Sequence, residues 1–399
     1  MSLRVLLAIH DASPLLNRAS ATTINLTRDS HPTGQRLSVL HVRIAKDMTL
    51  AGTASQPGSE DPIEVAFRDV PRAIGYILAS FTFLAIANYY VVARNRTSHI
   101  IWSIITISFV VFSHFYATVD CRPFLALRNC ALFCCVMKCL DMLFRYFQNI
   151  SLVWKLPNAD AKPPPLYQQA FWMTLELRYE DFLPNPVRQK LPAPFHEPTQ
   201  LLYHTLFYLA IAYGPIPQFL APVKAVKLLL QIYILWTAAH LPFRLSNTTP
   251  FFSPLYKADS LVDFWNGNIW HVAFQSPCQS IAYMPVQTIL KAIGLPKPLA
   301  RGSGVVGAFT LMGIFHAYIG WSVMTDVVDG WTKVVGFFML NGVATVFEDL
   351  VWGRKKSWVR AMLAWVFEIS LASWAVSGVE FPYELWLVHD PRFCHITVF

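Results

Sequence analysis

The chain has 399 residues, 54% of them hydrophobic and only 14% charged, whereas an ordinary globular domain carries about 25% charged residues. With a mean hydropathy of +0.40, that balance excludes disorder, a disulfide-stapled secreted module and most soluble enzymes. The net charge of +8 is spread between apolar runs rather than gathered in one stripe, which fits membrane topology and not nucleic-acid binding.

Residues 1–62 mix Arg, Ser, Thr and Asp without a sustained period and are expected to form a poorly structured N-terminal segment. The apolar run Val5–Ile9 is too short for a secretory core. Met48 opens a short polar start of its own, so residues 1–47 are expected to be dispensable. From residue 63 to 399 the sequence reads as one membrane-embedded, all-α domain. Crossing the hydrocarbon takes about 20 apolar residues in a helix. Ala73–Ala93, His99–Val119, Leu201–Ala221, Val223–Leu241, Val305–Met324, Thr332–Trp352 and Trp358–Val376 qualify. Phe124–Phe144 is amphipathic, with Arg128, Lys138 and Asp141, and is expected to face other helices. Residues 269–290 are apolar but carry Pro277, Pro285, Gln275, Gln279 and Gln287. Such a piece reads as a broken or re-entrant element, tolerable at membrane depth where protein buries it. The expected architecture is a polytopic integral membrane bundle of about 8–9 helices.

Orientation follows the Lys/Arg bias of short loops. Arg94 and Arg96, then Lys291, Lys297 and Arg301, then Arg354, Lys355, Lys356 and Arg360 fall on one side, read as the cytosol. The loop 325–330 holds Asp326 and Asp329 and no base. The Pro-rich segment 145–200 lands with the basic loops and contains "FWMTLELRYEDF", read as an interfacial helix. Sequons at Asn95, Asn149 and Asn247 then face the cytosol, so glycans there would break this topology. Seven cysteines, four of them inside "RNCALFCCVMKCLDMLF", have neither turn geometry nor His partners for zinc. Cys130, Cys134, Cys135 and Cys139 read as buried small hydrophobes, with a redox or acylation role as the alternative, and the odd total gives no disulfide framework.

An ionisable residue inside a span is a functional candidate by default, because burying it is expensive. His114 and His240 fall at span ends and read as interfacial. Glu348 and Asp349 lie one turn from the basic stretch "GRKK" and can pair with it, while Glu368 sits mid-span and can bond a neighbouring helix. His316 stands apart, past the midpoint of a Gly-rich span. It reads either as a core histidine with one interhelical hydrogen bond or as a general base for an alcohol. The second cluster is "KADSLVDFWNGNIWH", Lys257–His271. Asp259, Ser260 and Asp263 are N-cap types. Phe264, Trp265, Asn266, Trp270 and His271 follow as a dense aromatic and amide group. An interfacial aromatic belt and a reactive site remain equally open from these residues.

The Phe-Trp…Trp-His string of "SLVDFWNGNIWH", followed 45 residues later by His316 in an apolar helix, resembles wax synthase-like proteins of the membrane-bound O-acyltransferase (MBOAT) superfamily. The resemblance implies acyl transfer from acyl-CoA, arriving from the cytosol, to the hydroxyl of a lipophilic acceptor arriving from the lipid bilayer. On that reading His316 deprotonates the acceptor, and His271 hydrogen-bonds the thioester or oxyanion with Asn266 assisting. Phe264, Trp265 and Trp270 line the tunnel. No metal and no permanently bound cofactor is implied; acetyl-CoA is the expected co-substrate. Similar chains of fungal secondary metabolism acetylate terpenoids or meroterpenoids, which makes that the expected reaction. The alternatives are a long-chain acyl-CoA:alcohol acyltransferase making wax or sterol esters and, from another class, a small-molecule transporter. The family also implies residence in the endoplasmic reticulum.

Overall fold

Apolar runs of the required length fold as helices throughout the computed structural model. It describes residues 62–116, 118–156, 162–176, 178–184, 197–241, 250, 252–265, 273–324, 326–353 and 355–379, and the statements below refer to these. Helices α1 (Pro62–Val92), α2 (Arg96–Tyr116) and α3 (Arg122–Phe147) pack on one another. A two-stranded antiparallel ribbon follows, β1 (Val153–Trp154) with β2 (Phe182–Leu183), enclosing α4 (Leu166–Leu175). Helices α5 (Glu197–Tyr213) and α6 (Ala221–His240) form a hairpin. The short α7 (Leu261–Trp265) precedes the broken element. That element comprises a turn at Gln275–Pro277, a π-helical segment Cys278–Tyr283, and α8 (Met284–Ala292). Helices α9 (Lys297–Gly320), α10 (Val327–Trp352) and α11 (Trp358–Val376) complete the order.

Among the described residues seven helices are long and apolar enough to cross a membrane: α1, α2, α3, α6, α9, α10 and α11. The protein is therefore an all-α polytopic membrane bundle. The span expected at Leu201–Ala221 is α5, a helix of 17 residues that stops at Tyr213 because Gly214, Pro215 and Pro217 follow. α1 begins before Ala73. Its charged first turns are satisfied by tertiary partners: Asp69 accepts the backbone N–H of Cys121 at 2.7 Å, and Arg68 pairs with Asp120 at 2.8 Å.

α3 is the most enclosed span, with 44% of its apolar window buried. Its Arg128, Lys138 and Asp141 all turn inward, as the amphipathic pattern requires. The cysteines of α3 are free thiols. Cys121, just before its first residue, is disulfide-bonded, where the odd number of cysteines had led to no disulfide being expected. α4 packs on α1, and Asn88 donates to Thr174 Oγ1 at 3.0 Å between them.

The broken element is bonded to α3 by a compact polar knot. Asp141 accepts from Arg145 at 2.9 Å, from Ser276 at 2.5 Å and from Ser280 at 2.6 Å, while Arg145 donates to Ser276 Oγ at 2.6 Å. The two serines flank the start of the π segment, where one extra residue per turn changes which face the chain presents. Beyond it the same element packs on α9. A Cβ on Gly304 would lie 2.9 Å from the Tyr283 ring, so only glycine allows that approach.

Candidate active site

α7 is a single turn of helix and cannot hold itself. Its first turn is held in two ways. Ser260 Oγ accepts the N–H of Asp263 at 2.9 Å, the capping expected of a serine there. Glu348, reaching from α10, accepts the N–H groups of Leu261 and Val262 at 3.1 and 3.0 Å. Glu348 is in turn paired with Arg360 of α11 at 3.0 Å, and Arg360 also donates to the carbonyls of Gly353 and Lys355. Lys356 pairs with Asp259 at 2.6 Å. Glu348 was expected to pair with the stretch "GRKK"; its partner is instead Arg360, one turn into α11, while Lys356 of that stretch takes Asp259.

This anchoring sets the direction of the two aromatic residues that end α7. Phe264 turns into a core with Tyr208, Leu230, Tyr233 and Phe252 and meets Trp365 edge-on at 5.8 Å. Trp265 points the other way, between α9 and α10, with its ring 5.4 Å from Phe309 and 5.8 Å from Phe338. Its indole N–H donates to Asn341 Oδ1 at 3.2 Å. Asn341 donates to the carbonyl of Phe337, and the carboxyl of Glu368 on α11 lies beside this pair.

His316 lies on α9 with its ring stacked on Phe338, centroids 4.4 Å apart and planes at 27°. Its Nδ1–H donates to the carbonyl of Met312 one turn earlier, at 2.8 Å. That bond fixes the tautomer: in the neutral ring the lone pair resides on Nε2. The stack requires α9 and α10 to approach closely. At Gly313 an added Cβ would lie 3.0 Å from Val335 Cα and 3.2 Å from Phe338 Cβ; at Gly342 it would lie 2.9 Å from Phe309 Cβ.

The structure therefore brings His316 and Trp265 onto one aromatic ring, Phe338. It turns Phe264 away into the α5–α6 core. Asn266, Trp270 and His271 lie outside the described residues. Both histidines read as interfacial have partners within the protein, His240 buried and His114 half-buried. His240 is 2% exposed and sits 3.0 Å from Glu197 at the base of the α5–α6 hairpin. The Nδ1 of His114 is 3.0 Å from the hydroxyl of Tyr318. Sequence reasoning missed Asn341 and Phe338. An amide inside an apolar run was a readable signal for Asn341; a phenylalanine in a span carries none.

Residues 248–340 match the profile of the family described as membrane bound O-acyl transferase family. That stretch takes in α7, the broken element, α9 and most of α10, and with them Trp265, His271 and His316. Over 114 residues the chain is 32% identical to the probable long-chain-alcohol O-fatty-acyltransferase 1 of Arabidopsis thaliana, covering 29% of this chain and 32% of that protein. Over 102 residues it is 33% identical to the long-chain-alcohol O-fatty-acyltransferase of Simmondsia chinensis, covering 26% and 28%. The chain spans about a third of the length of the curated relatives it matches. The likeness to membrane-bound O-acyltransferases is supported over the segment that holds the aromatic motif and His316.

Proposed function

We propose that the protein is an integral membrane O-acyltransferase that moves an acyl group from acyl-CoA to the hydroxyl of a lipophilic alcohol. The observation that carries this reading is His316, which lies inside the family-matched segment with Nδ1 committed to Met312 and the lone pair left on Nε2. Nε2 takes the proton of the acceptor hydroxyl as its oxygen attacks the thioester carbonyl. The tetrahedral intermediate collapses with loss of the CoA thiolate, which recovers that proton from the imidazolium. Ester and free CoA are the products, and no oxidant or reductant is required. His271, with Asn266, is assigned to the oxyanion. Trp265 and Trp270 are assigned to walling the reaction from water, which limits hydrolysis of the donor.

For the substrates, a long-chain acyl donor with a fatty alcohol takes precedence, because both relatives above are named for long-chain alcohols. Acetyl transfer from acetyl-CoA to a terpenoid or meroterpenoid is the second reading. It rests on the likeness to fungal secondary-metabolite chains. The endoplasmic reticulum membrane is the proposed location, with CoA on the side of the basic loops.

The test is release of CoA by purified protein in detergent, offered acetyl-CoA or palmitoyl-CoA with either a fatty alcohol or a hydroxylated terpenoid. Acceptor-dependent release is the expected result, lost in folded His316→Ala. Wild-type rates in that variant refute the mechanism, and acetyl transfer to the terpenoid alone reverses the choice of substrate. A transporter releases no CoA where no gradient exists.

A further inference from the structure

Glu368 sits near the middle of α11 and is 6% exposed. A carboxyl buried in an apolar bundle is costly unless its oxygens find partners. The Trp265 indole and the Asn341 amide, joined to each other at 3.2 Å, are the polar neighbours of this carboxyl. Its Oε2 is buried and has no hydrogen-bond partner among the described residues.

We infer that Glu368 Oε2 is a docking point for the acyl donor, accepting the first amide N–H of the pantetheine arm of acyl-CoA. The inference rests on the acyltransferase reading above and names a further substrate contact for it. The level of Glu368 along the bundle supports it. The rings of His316 and Trp265 both rest on Phe338. Asn341 lies three residues further along α10, about 4.5 Å along the helix axis, toward the end that carries the basic stretch 354–356. In a CoA thioester two methylenes separate the sulfur from the first amide nitrogen, which places it about 5 Å from the thioester carbon by ordinary bond lengths. A thioester held at His316, with its CoA leaving toward the basic end, therefore sets that N–H at the level of Glu368. The alkyl chain of a fatty alcohol presents no donor there. An amide N–H meeting a carboxyl oxygen in a dry site also removes the cost of leaving Oε2 unpaired.

The experiment compares two small donors carrying the same fatty acid: its N-acetylcysteamine thioester, which keeps this amide, and its pentyl thioester, which replaces the amide by methylenes. Wild-type protein is expected to favour the amide-bearing donor in kcat/KM by roughly fivefold to tenfold, the size of one buried hydrogen bond. The preference is expected to fall to about unity in Glu368→Leu and to persist in part in Glu368→Gln, which keeps the shape and one carbonyl oxygen. Equal losses on both donors in the variants would assign Glu368 to holding Trp265 and overturn the inference. So would a wild-type enzyme indifferent to the amide. Wild-type protein that transfers from no donor at all, acyl-CoA included, overturns the acyltransferase reading itself and the inference with it.

Discussion

Arg360 donates to Glu348 at 3.0 Å across the turn between α10 and α11, and this pair lets a carboxylate hold the first amides of α7, 86 and 87 positions earlier in the chain. Both side chains are buried, so removing the carboxylate leaves Arg360 charged without its counter-ion. Glu348→Gln is expected to lower stability by about 3–5 kcal/mol, read as a fall in Tm of the detergent-solubilised protein. Glu348→Gln with Arg360→Met should recover part of that loss while acyl transfer stays impaired, because α7 has lost one of the two acceptors that anchor it. Full activity in the folded double variant would show that α7 needs no such anchor.

At Gly313 the backbone of α10 leaves no room for a side chain. Gly313→Val should push α9 and α10 apart at the level of the His316–Phe338 stack, with an overpacking cost of about 1–3 kcal/mol. Acyl transfer should fall further than the Tm shift accounts for, and Gly313→Ala should fall between. Normal turnover in Gly313→Val would separate the stack from catalysis.

Phe338 supports both rings of the site, so its loss should be felt in kcat rather than in alcohol KM. Phe338→Leu keeps an apolar side chain of reduced size, at a cost of about 1–2 kcal/mol. A several-fold fall in kcat is expected, with KM for the alcohol changed less than twofold. A change confined to KM would place Phe338 in substrate binding instead.

Glu176, just after α4 and outside the spans, supplies a pH dependence. Burial, and then the neighbouring Asp181 carboxyl with Glu180 beyond it, raise its carboxyl from 4.5 to about 8. The folded state therefore holds a proton that the unfolded chain releases. The associated stability is present below about pH 4.5 and is lost as pH rises through about 8. Glu176→Gln, which cannot ionise, should match the wild type in Tm near pH 4.5 and exceed it increasingly toward pH 8.5. A difference that stays constant over that interval would contradict the assignment. The nearby Lys138, which donates to the Glu176 carbonyl at 2.5 Å, keeps the same partner in the variant.

The spans were legible because hydropathy needs no tertiary information, whereas the prolines and glutamines of 269–290 announced an irregular element that proves, from Gln275 to Ala292, to be a continuous helical run with a π segment. The start of α1 was not. Arg68, Asp69 and Arg72 interrupt the apolar window, and nothing local shows that Asp120 and the amide of Cys121 lie ready to receive them. His316 stood out as an ionisable group in an apolar run, and Ser260 as a cap before one. Asn341 escaped a search restricted to ionisable residues. Its meeting with Trp265, 76 positions away, is decided by packing alone. His240 looked interfacial because its partner Glu197 lies 43 positions earlier, beyond any helical repeat.

The knot at Asp141 bears on how this chain enters a bilayer in the first place. α3 emerges from the ribosome well before Ser276 and Ser280 exist, since they follow Asp141 by 135 and 139 positions. A solitary carboxylate would resist partitioning in that interval. Arg145, one turn along the same helix and 2.9 Å from Asp141 in the finished protein, supplies a built-in counter-ion, so the carboxylate of α3 need not meet lipid unpaired. The serines arrive later and inherit a site already discharged, which makes the Asp141–Arg145 pair a temporary chaperone for its own helix before it becomes the mooring of the broken element.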